Sequence, residues 1–387
     1  MMKNSILTIN SGASSIKFSL YETGTSLTQL FYGELESTDS RETNLHFTQT
    51  TTQQKNCIRM KAVDRDTAVN FLISWLEEQH GFNSVKAIGH RVAQEMKYRN
   101  PELITPALLN ELKKTGSCDC EHLPQEIYLM ELFGKRYPAL VHIACFDNLF
   151  PASIQTAANR QHNISLYNAT VLQRYGFHGF SFEYLLEELH RVAGNKAAQG
   201  KVILAHLDSS KSLAAFNYGK SIDISPDFKL PPISIVDTRN TSFSLTPAEK
   251  IAAEKCSPIN KNFVVPVISE IESEVAGAPS VQSAKQLNEE DIEAFCYETR
   301  KWIGSFAASM GGLDTLVFTG RMGEHAPDVR SQVCDSLGFL GIELDEIKNM
   351  NNESVVSAKQ STVTVRIIKT NEELMIAKLV SALLNFD

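Results

Sequence analysis

Ile6-Leu-Thr-Ile-Asn10-Ser-Gly12-Ala-Ser14-Ser15-Ile-Lys17-Phe-Ser-Leu20 is the stretch from which the rest of the chain can be worked out. Apolar residues run up to Asn10, small residues follow, and Ile16, Phe18 and Leu20 then alternate with Lys17 and Ser19. That pattern predicts strand, tight polar turn, strand. Gly12 is free to take positive φ, and its small neighbours let backbone N–H groups approach an anion. Asn10 and the serines add polar side chains at the same tip. An ordinary hairpin spends about two residues on its turn. This one spends Ser11 to Ser15, which favours a phosphate-holding turn.

A chain of 387 residues exceeds one ordinary core, so two domains are expected. Hydrophobic residues at 43% and charged residues at 21% place it among soluble globular proteins. A net charge of −8 argues against a broad nucleic-acid surface. No apolar run reaches membrane-spanning length, and Met1-Met-Lys3 leads straight into a strand without a signal-peptide core, so no membrane partner and a cytoplasmic location are expected. The seven cysteines are odd in number and scattered, which argues against a disulfide framework. Cys118-Asp-Cys120-Glu-His122 offers two thiols and an imidazole to zinc, but no second pair sits at ligand spacing, so free thiols are favoured.

Residues 1–60 read as β-rich, 64–80 as a helix followed by Gly81, and Val85 to Val92 as a short buried strand ending on His90-Arg91. Pro106 to Lys113 and Pro124 to Gly134 read as helices. Leu140 to Phe146 is a strand with Asp147 at its C-terminal end, where ligand groups collect in open α/β sheets. Arg174-Tyr-Gly-Phe177-His178-Gly is a dense loop before a helix over 182–193. The opening then repeats: Lys201 to His206, a polar turn, and Lys211 to Phe216 again give strand, turn, strand, which suggests two related halves. Glu289 to Met310 reads as a long helix. Leu313 to Thr319 leads into Gly320-Arg-Met-Gly323-Glu324-His325, and Pro327 opens a helix, an arrangement that suits a nucleotide over a helix N-terminus. Thr370 and Glu373 fit a capping box before a last helix through Leu384.

Taken in order, Asn10 to Phe18, Ala87-Ile-Gly-His90-Arg91-Val, Phe146-Asp147, Arg174 to Gly179, His206-Leu207, Asp237-Thr-Arg239, Val317 to Glu324 and Thr370-Asn-Glu372-Glu-Leu resemble the acetate kinase family from end to end. That resemblance implies an α/β fold of two related domains of the sugar-kinase/actin/Hsp70 type, over 1–148 plus 372–387 and 149–371, with the active site in the interdomain cleft. It implies transfer of a phosphoryl group from ATP, with Mg²⁺, to a short carboxylate, acetate or propionate, and a homodimer to which the apolar run 263–268 could contribute. Position by position, Arg91 would clamp the carboxylate and Val92, Leu123, Phe177 and His122 would lie around it. Asp147, His178 and Arg239 would join Arg91 as catalytic groups, Asp147 orienting an arginine or the metal shell. Lys17, Ser14, Ser15, His206, Leu207, Asp208, Ser209, Ser210, Gly320, Gly323 and Glu324 would meet the nucleotide, ADP or ATP. Asn10 and Glu372 would hold the Mg²⁺ shell.

The chain also departs from the family pattern. Its second phosphate loop is Asp208-Ser-Ser-Lys211 in place of a glycine-rich turn, so Asp208 would repel phosphates and Lys211 attract them. Ala13 replaces a serine, Arg321 replaces a glycine, and Ala93-Gln-Glu95, Asn148 and Asn240-Thr-Ser242 differ on the acceptor side. Ser280 to Ala284 stands where the family carries Asp-X-Arg near the adenosine. These changes predict a weakened nucleotide site. They leave two alternatives open: another donor such as pyrophosphate, and a member that binds a ligand without turnover.

Overall fold

A computed structural model describes residues 4–12, 15–37, 42–61, 64–93, 98, 100–115, 123–147, 178–208, 210–225, 228–229 and 289–386. The described residues fall into two compact units, 4–147 with 372–386, and 178–229 with 289–371.

The first unit is built on an eight-stranded sheet. β1 (Ser5–Ser11) pairs antiparallel with β2 (Ser15–Glu22), as the opening stretch predicts, and parallel with β6 (Val85–Val92). β3 (Thr28–Ser37), β4 (Glu42–Gln49) and β5 (Gln54–Lys61) extend the sheet beyond β2, and β7 (Glu102–Leu103) and β8 (Val141–Phe146) extend it beyond β6. Every residue of β1 is buried, because helices cover both faces of the sheet centre. On one face, helix α1 (Arg65–Glu77) lays Val69, Leu72, Trp75 and Leu76 against Leu7, Ile9 and Phe18. Its start is fixed by the Asp64 side chain, which accepts the Thr67 N–H at 2.7 Å. Trp75 stacks among Phe18, Phe31 and Phe47 with centroids 4.6–5.7 Å apart. Helices α2 (Pro106–Thr115) and α3 (Leu123–Arg136) follow β7 and precede β8.

The second unit repeats the sheet centre. α4 (Gly179–Ala198) leads into β9 (Lys201–Leu207), which pairs antiparallel with β10 (Ser210–Asn217) and parallel with β13 (Thr315–Thr319), and β14 (Thr364–Ile367) lies beyond β13. β11 (Lys220–Ile224) and β12 (Phe228–Lys229) both pair with β10. The order β2-β1-β6-β8 in the first unit and β10-β9-β13-β14 in the second has the same strand directions. Strand alternation then sorts the core. Val202 and Leu204 pack on Phe182, Leu185 and Leu189 of α4, while Ile203, Ala205 and Leu207 pack on Ile303 and Phe306 of α5 (Glu289–Met310). The helices α6 (Gly320–His325), α7 (Pro327–Cys334) and α8 (Glu346–Met350) follow.

The last helix, α9 (Glu372–Leu384), packs on β1, β2, β6 and β8 of the first sheet. Gly89 makes that approach possible: a Cβ there would come within 2.6 Å of Ile376 and 2.7 Å of Val380. Two local expectations change. Gly12 does not adopt positive φ, and its N–H closes the turn on the Ser15 carbonyl at 2.8 Å. The helix expected from Phe182 starts three residues earlier, at Gly179. Among the described residues no helix is long and apolar enough to cross a membrane.

Candidate active site

The candidate residues form two clusters, one in each unit. In the first, β1 ends on Asn10, β6 ends beside Arg91, β8 runs into Asp147, and α9 opens on Glu372 and Glu373. Adjacent strand ends and a helix start thus bring together residues up to 363 apart in sequence. Arg91 donates through Nε to Asp147 Oδ2 at 2.8 Å, and its Nη2 bonds the same oxygen. Arg91 Nη1 reaches Asn10 Oδ1 at 3.4 Å. The Asn10 amide group donates to Glu372 Oε2 at 2.9 Å and Glu373 Oε1 at 3.0 Å. Asn10, Asp147 and Glu372 are buried, and the Arg91 side chain is 11% exposed. Burial would lower the pKa of the Arg91 guanidinium, but the carboxylates of Asp147, Glu372 and Glu126 outweigh it and hold it above its ordinary value. One edge of the guanidinium is therefore committed to Asp147. Among the described residues, the Nη1–Nη2 edge carries only the long contact to Asn10 besides that bond.

Glu373 takes a partner different from the one its capping-box spacing implies. Its carboxylate accepts from Asn10, while the Thr370 N–H donates to Glu324 Oε1 at 3.4 Å. Lys17 lies opposite Asn10 in the β1–β2 register, and Ser15 is buried at the start of β2. Val92 and Leu123 are sealed in an apolar cluster with Leu108, Leu112, Ile127 and Phe146.

In the second cluster, His178 caps α4 with φ 65° and ψ 35°, a left-handed conformation unusual for a non-glycine residue. Its ring lies on that of His206, centroids 4.0 Å apart. His178 Nδ1 shares a hydrogen bond with Ser212 Oγ at 2.8 Å, and His206 Nδ1 shares one with Ser181 Oγ at 3.0 Å. Gly320 has φ 79°, and a Cβ on it would lie 2.5 Å from the Leu207 carbonyl oxygen, so only glycine lets the β13–α6 turn meet the end of β9. Leu207 itself is fully buried.

Three features of this turn and of the neighbouring 208–211 loop differ from what the sequence suggests. The first N–H of α6, on Gly320, donates to Glu324 Oε1 at 3.1 Å, and Thr319 Oγ1 donates to the same oxygen at 3.2 Å. The Arg321 N–H reaches Asp208 Oδ2 at 3.5 Å. The helix N-terminus expected to meet a nucleotide thus already engages two carboxylates of this chain. Burial pushes the Glu324 carboxyl up, opposed by the Thr319 hydroxyl. Finally, Lys211, expected to attract phosphates, points into the core. Its Nζ donates to the Phe295 carbonyl at 2.8 Å and Thr299 Oγ1 at 3.3 Å, and burial brings its pKa down to about 8.

Sequence reasoning passed over two residues. Glu126 of α3 is 2% exposed, and both its carboxylate oxygens lie 3.2 Å from the Ala93 nitrogen, which donates to them. Arg330 of α7 is fully buried and donates to the Gly323 carbonyl at 2.9 Å, to Asn349 Oδ1 and O at 2.7 Å each, and to Asn352 Oδ1 at 2.7 Å. It ties the Gly320–Gly323 turn to α8. His122, Cys118, Cys120, Phe177, Arg239, Ser14 and Ser209, together with the 263–268 run, lie outside the described residues, and of Ser210 only the backbone is described.

Glu372 and Glu373 bring carboxylate oxygens, the ligand type a hard, hydrated cation takes, and both accept from the Asn10 amide nitrogen, while the Asn10 oxygen faces Arg91. Among the described residues no three His, Cys, Asp or Glu side chains gather into a metal cage.

Comparison with known proteins is consistent over the full length. Residues 5–378 match the model of the acetokinase family. The acetate kinase of Rhodopseudomonas palustris strain TIE-1 is 30% identical, over 97% of this chain and 98% of its own. Among solved structures, a propionate kinase from Francisella tularensis subsp. tularensis SCHU S4 is 27% identical with a TM-score of 0.69, covering 97% of this chain and 98% of that one. The Porphyromonas gingivalis acetate kinase, 24% identical with a TM-score of 0.65 over 98% and 100% of the two chains, shares the fold.

Proposed function

We propose, from the premise that the chain belongs to the acetokinase family and is a phosphotransferase acting on a carboxyl group, that it moves the γ-phosphoryl group of ATP to acetate or propionate. The observation that carries this reading is the convergence of Asn10, Arg91, Asp147 and Glu372 from four separate elements. An isolated buried guanidinium is costly, and Asp147 offsets that cost while fixing the orientation of the fork. The Nη1–Nη2 edge of Arg91 then receives the carboxylate in the bidentate manner typical of such pairs.

A carboxylate is already ionised at neutral pH, so no general base is needed. Catalysis rests on alignment and on neutralising charge at the transferring group. His178, held by Ser212 and stacked on His206, supplies a preoriented donor for the developing charge, and Arg239 is assigned the same task. Asn10 and Glu372 would hold the water shell of Mg²⁺, which neutralises phosphate oxygens when bound. Gly320, Gly323 and Glu324 form the turn assigned to the nucleotide, with Lys17, Ser14, Ser15, His206, Leu207 and Asp208 to Ser210 beside its phosphates. Val92 and Leu123 back the acyl group, with Phe177 and His122 assigned to the same wall. A cytoplasmic homodimer accords with the family.

The test is acyl phosphate formation from acetate and from propionate with ATP–Mg²⁺, on the wild type and on Arg91→Ala. Turnover that the substitution abolishes supports the assignment. Unchanged kinetics in Arg91→Ala removes that residue from the site, and absence of turnover with either acid refutes the reading.

A further inference from the structure

Glu126 lies on α3, outside the strand ends that gather the first cluster. It shares one face of α3 with Leu123, Ile127 and Met130, all buried. Its carboxylate accepts the N–H of Ala93, two residues past Arg91, and so fixes the strand end that carries the guanidinium. No direct bond joins Glu126 to Arg91 among the described residues, yet the two interact through charge. Three carboxylates, Asp147, Glu372 and Glu126, act on this one guanidinium.

A substrate carboxylate adds a further negative charge to that group. Asp147 is hydrogen-bonded to Arg91 directly, and Glu372 is bonded to Asn10. Among the described residues, the Glu126 carboxylate is held by hydrogen bonds from the Ala93 backbone N–H alone. The charged groups acting on it are Arg91 from β6, which favours ionisation, and Asp147 at the end of β8, which opposes it. On α2, Glu111 accepts from the Tyr98 hydroxyl, and Lys113 pairs with Glu131 of α3. Burial, only partly offset by Arg91 and the Ala93 N–H, pushes the Glu126 carboxyl up to about 7.

Given Arg91 as the acceptor site, we infer that Glu126 is a positioning residue that links substrate affinity to pH. The substrate anion binds with uptake of one proton from water by the Glu126 carboxylate, and the proton returns to water when the site empties. The ionised form over-neutralises Arg91 and weakens binding, whereas the protonated form still accepts the Ala93 N–H and leaves the guanidinium to the substrate.

The experiment measures kcat/KM for acetate from pH 6 to 8 on the wild type, Glu126→Gln and Glu126→Asp. It is paired with calorimetric titration of propionate into wild-type protein at pH 7.5, in buffers of low and high ionisation enthalpy. The wild type should lose affinity for the acid above pH 7, approaching tenfold per pH unit, since each proton linked to binding contributes one such factor. Glu126→Gln, which keeps an acceptor for Ala93, should abolish that slope, and Glu126→Asp should retain one. Calorimetry, which needs no variant, should show net proton uptake. Binding without proton uptake, or a Glu126→Gln enzyme with the wild-type slope, overturns the role of Glu126 and leaves the acceptor site standing. A wild type that neither binds propionate nor turns over acetate overturns both.

Discussion

The two clusters are built by the same strand order and differ in what their polar groups are left to do. In the first cluster, Asp147 and Asn10 are arranged around Arg91, whose Nη1–Nη2 edge, among the described residues, carries little besides the Asp147 bond. In the second, the N–H groups at the β13–α6 turn are engaged by Glu324 and Asp208. Lys211, the one cation of the 208–211 loop, is spent on the core. The same hairpin-and-parallel-strand frame therefore presents a ready cationic site at one sheet and a turn filled by its own carboxylates at the other. Topology delivers residues to a strand end, and the local turn chemistry then decides whether an anion finds donors there.

Four substitutions break or sharpen this contrast. Arg91→Ala should have the largest effect. Losing this buried, charge-assisted contact to Asp147 costs about 2–5 kcal/mol, read as a fall in kcat/KM for acetate. Arg330→Met should act on the second unit alone. It strips the Gly323 and Asn349 carbonyls of their donor, and each orphaned acceptor costs about 1–3 kcal/mol, so a clear drop in the urea midpoint is expected. Gly89→Ala should disturb the first cluster from behind, pushing Ile376 and Val380 of α9 away from β6. Overpacking of this kind costs about 1–3 kcal/mol, and the loss should appear both in stability and in KM, because α9 also carries Glu372. Asp208→Gly should have the smallest effect and the opposite sign. Removing a half-exposed negative charge beside the phosphate turn should lower KM for ATP by a few fold, about 1 kcal/mol, with no change in KM for acetate.

Much of this was legible in the sequence. Both hairpins, the strand that ends at Arg91 and the carboxylate after β8 follow from periodicity and from where turns fall, and the pairing of Asn10 with Glu372 follows from family resemblance. The rest was hidden by side chains whose type contradicts their position. Lys211 has the parity of Leu213 and Ala215 on β10, so strand alternation already turns it toward Phe295. Its charge invited the opposite reading. Glu126 falls at helical spacing with Leu123, Ile127 and Met130, which places it inward, yet an acidic residue in the first turn of a helix reads as solvent-facing. Arg330 gives no such warning. Its burial depends on backbone carbonyls of α6 and α8 that only the folded chain brings together. The capping box at Thr370 and Glu373 failed because Glu324 and Asn10 compete for the same groups.

The measurement that tests the contrast most directly is kcat and KM for ATP in acyl phosphate synthesis, compared between wild type and a variant with glycine at positions 208 and 210, leaving the buried Lys211 in place. The account predicts slow wild-type turnover, below the roughly 1–100 s⁻¹ typical of kinases, and a gain in kcat/KM for ATP in the variant at unchanged KM for acetate. A wild type that turns over within that range with tight ATP binding, or a variant that gains nothing, would contradict it.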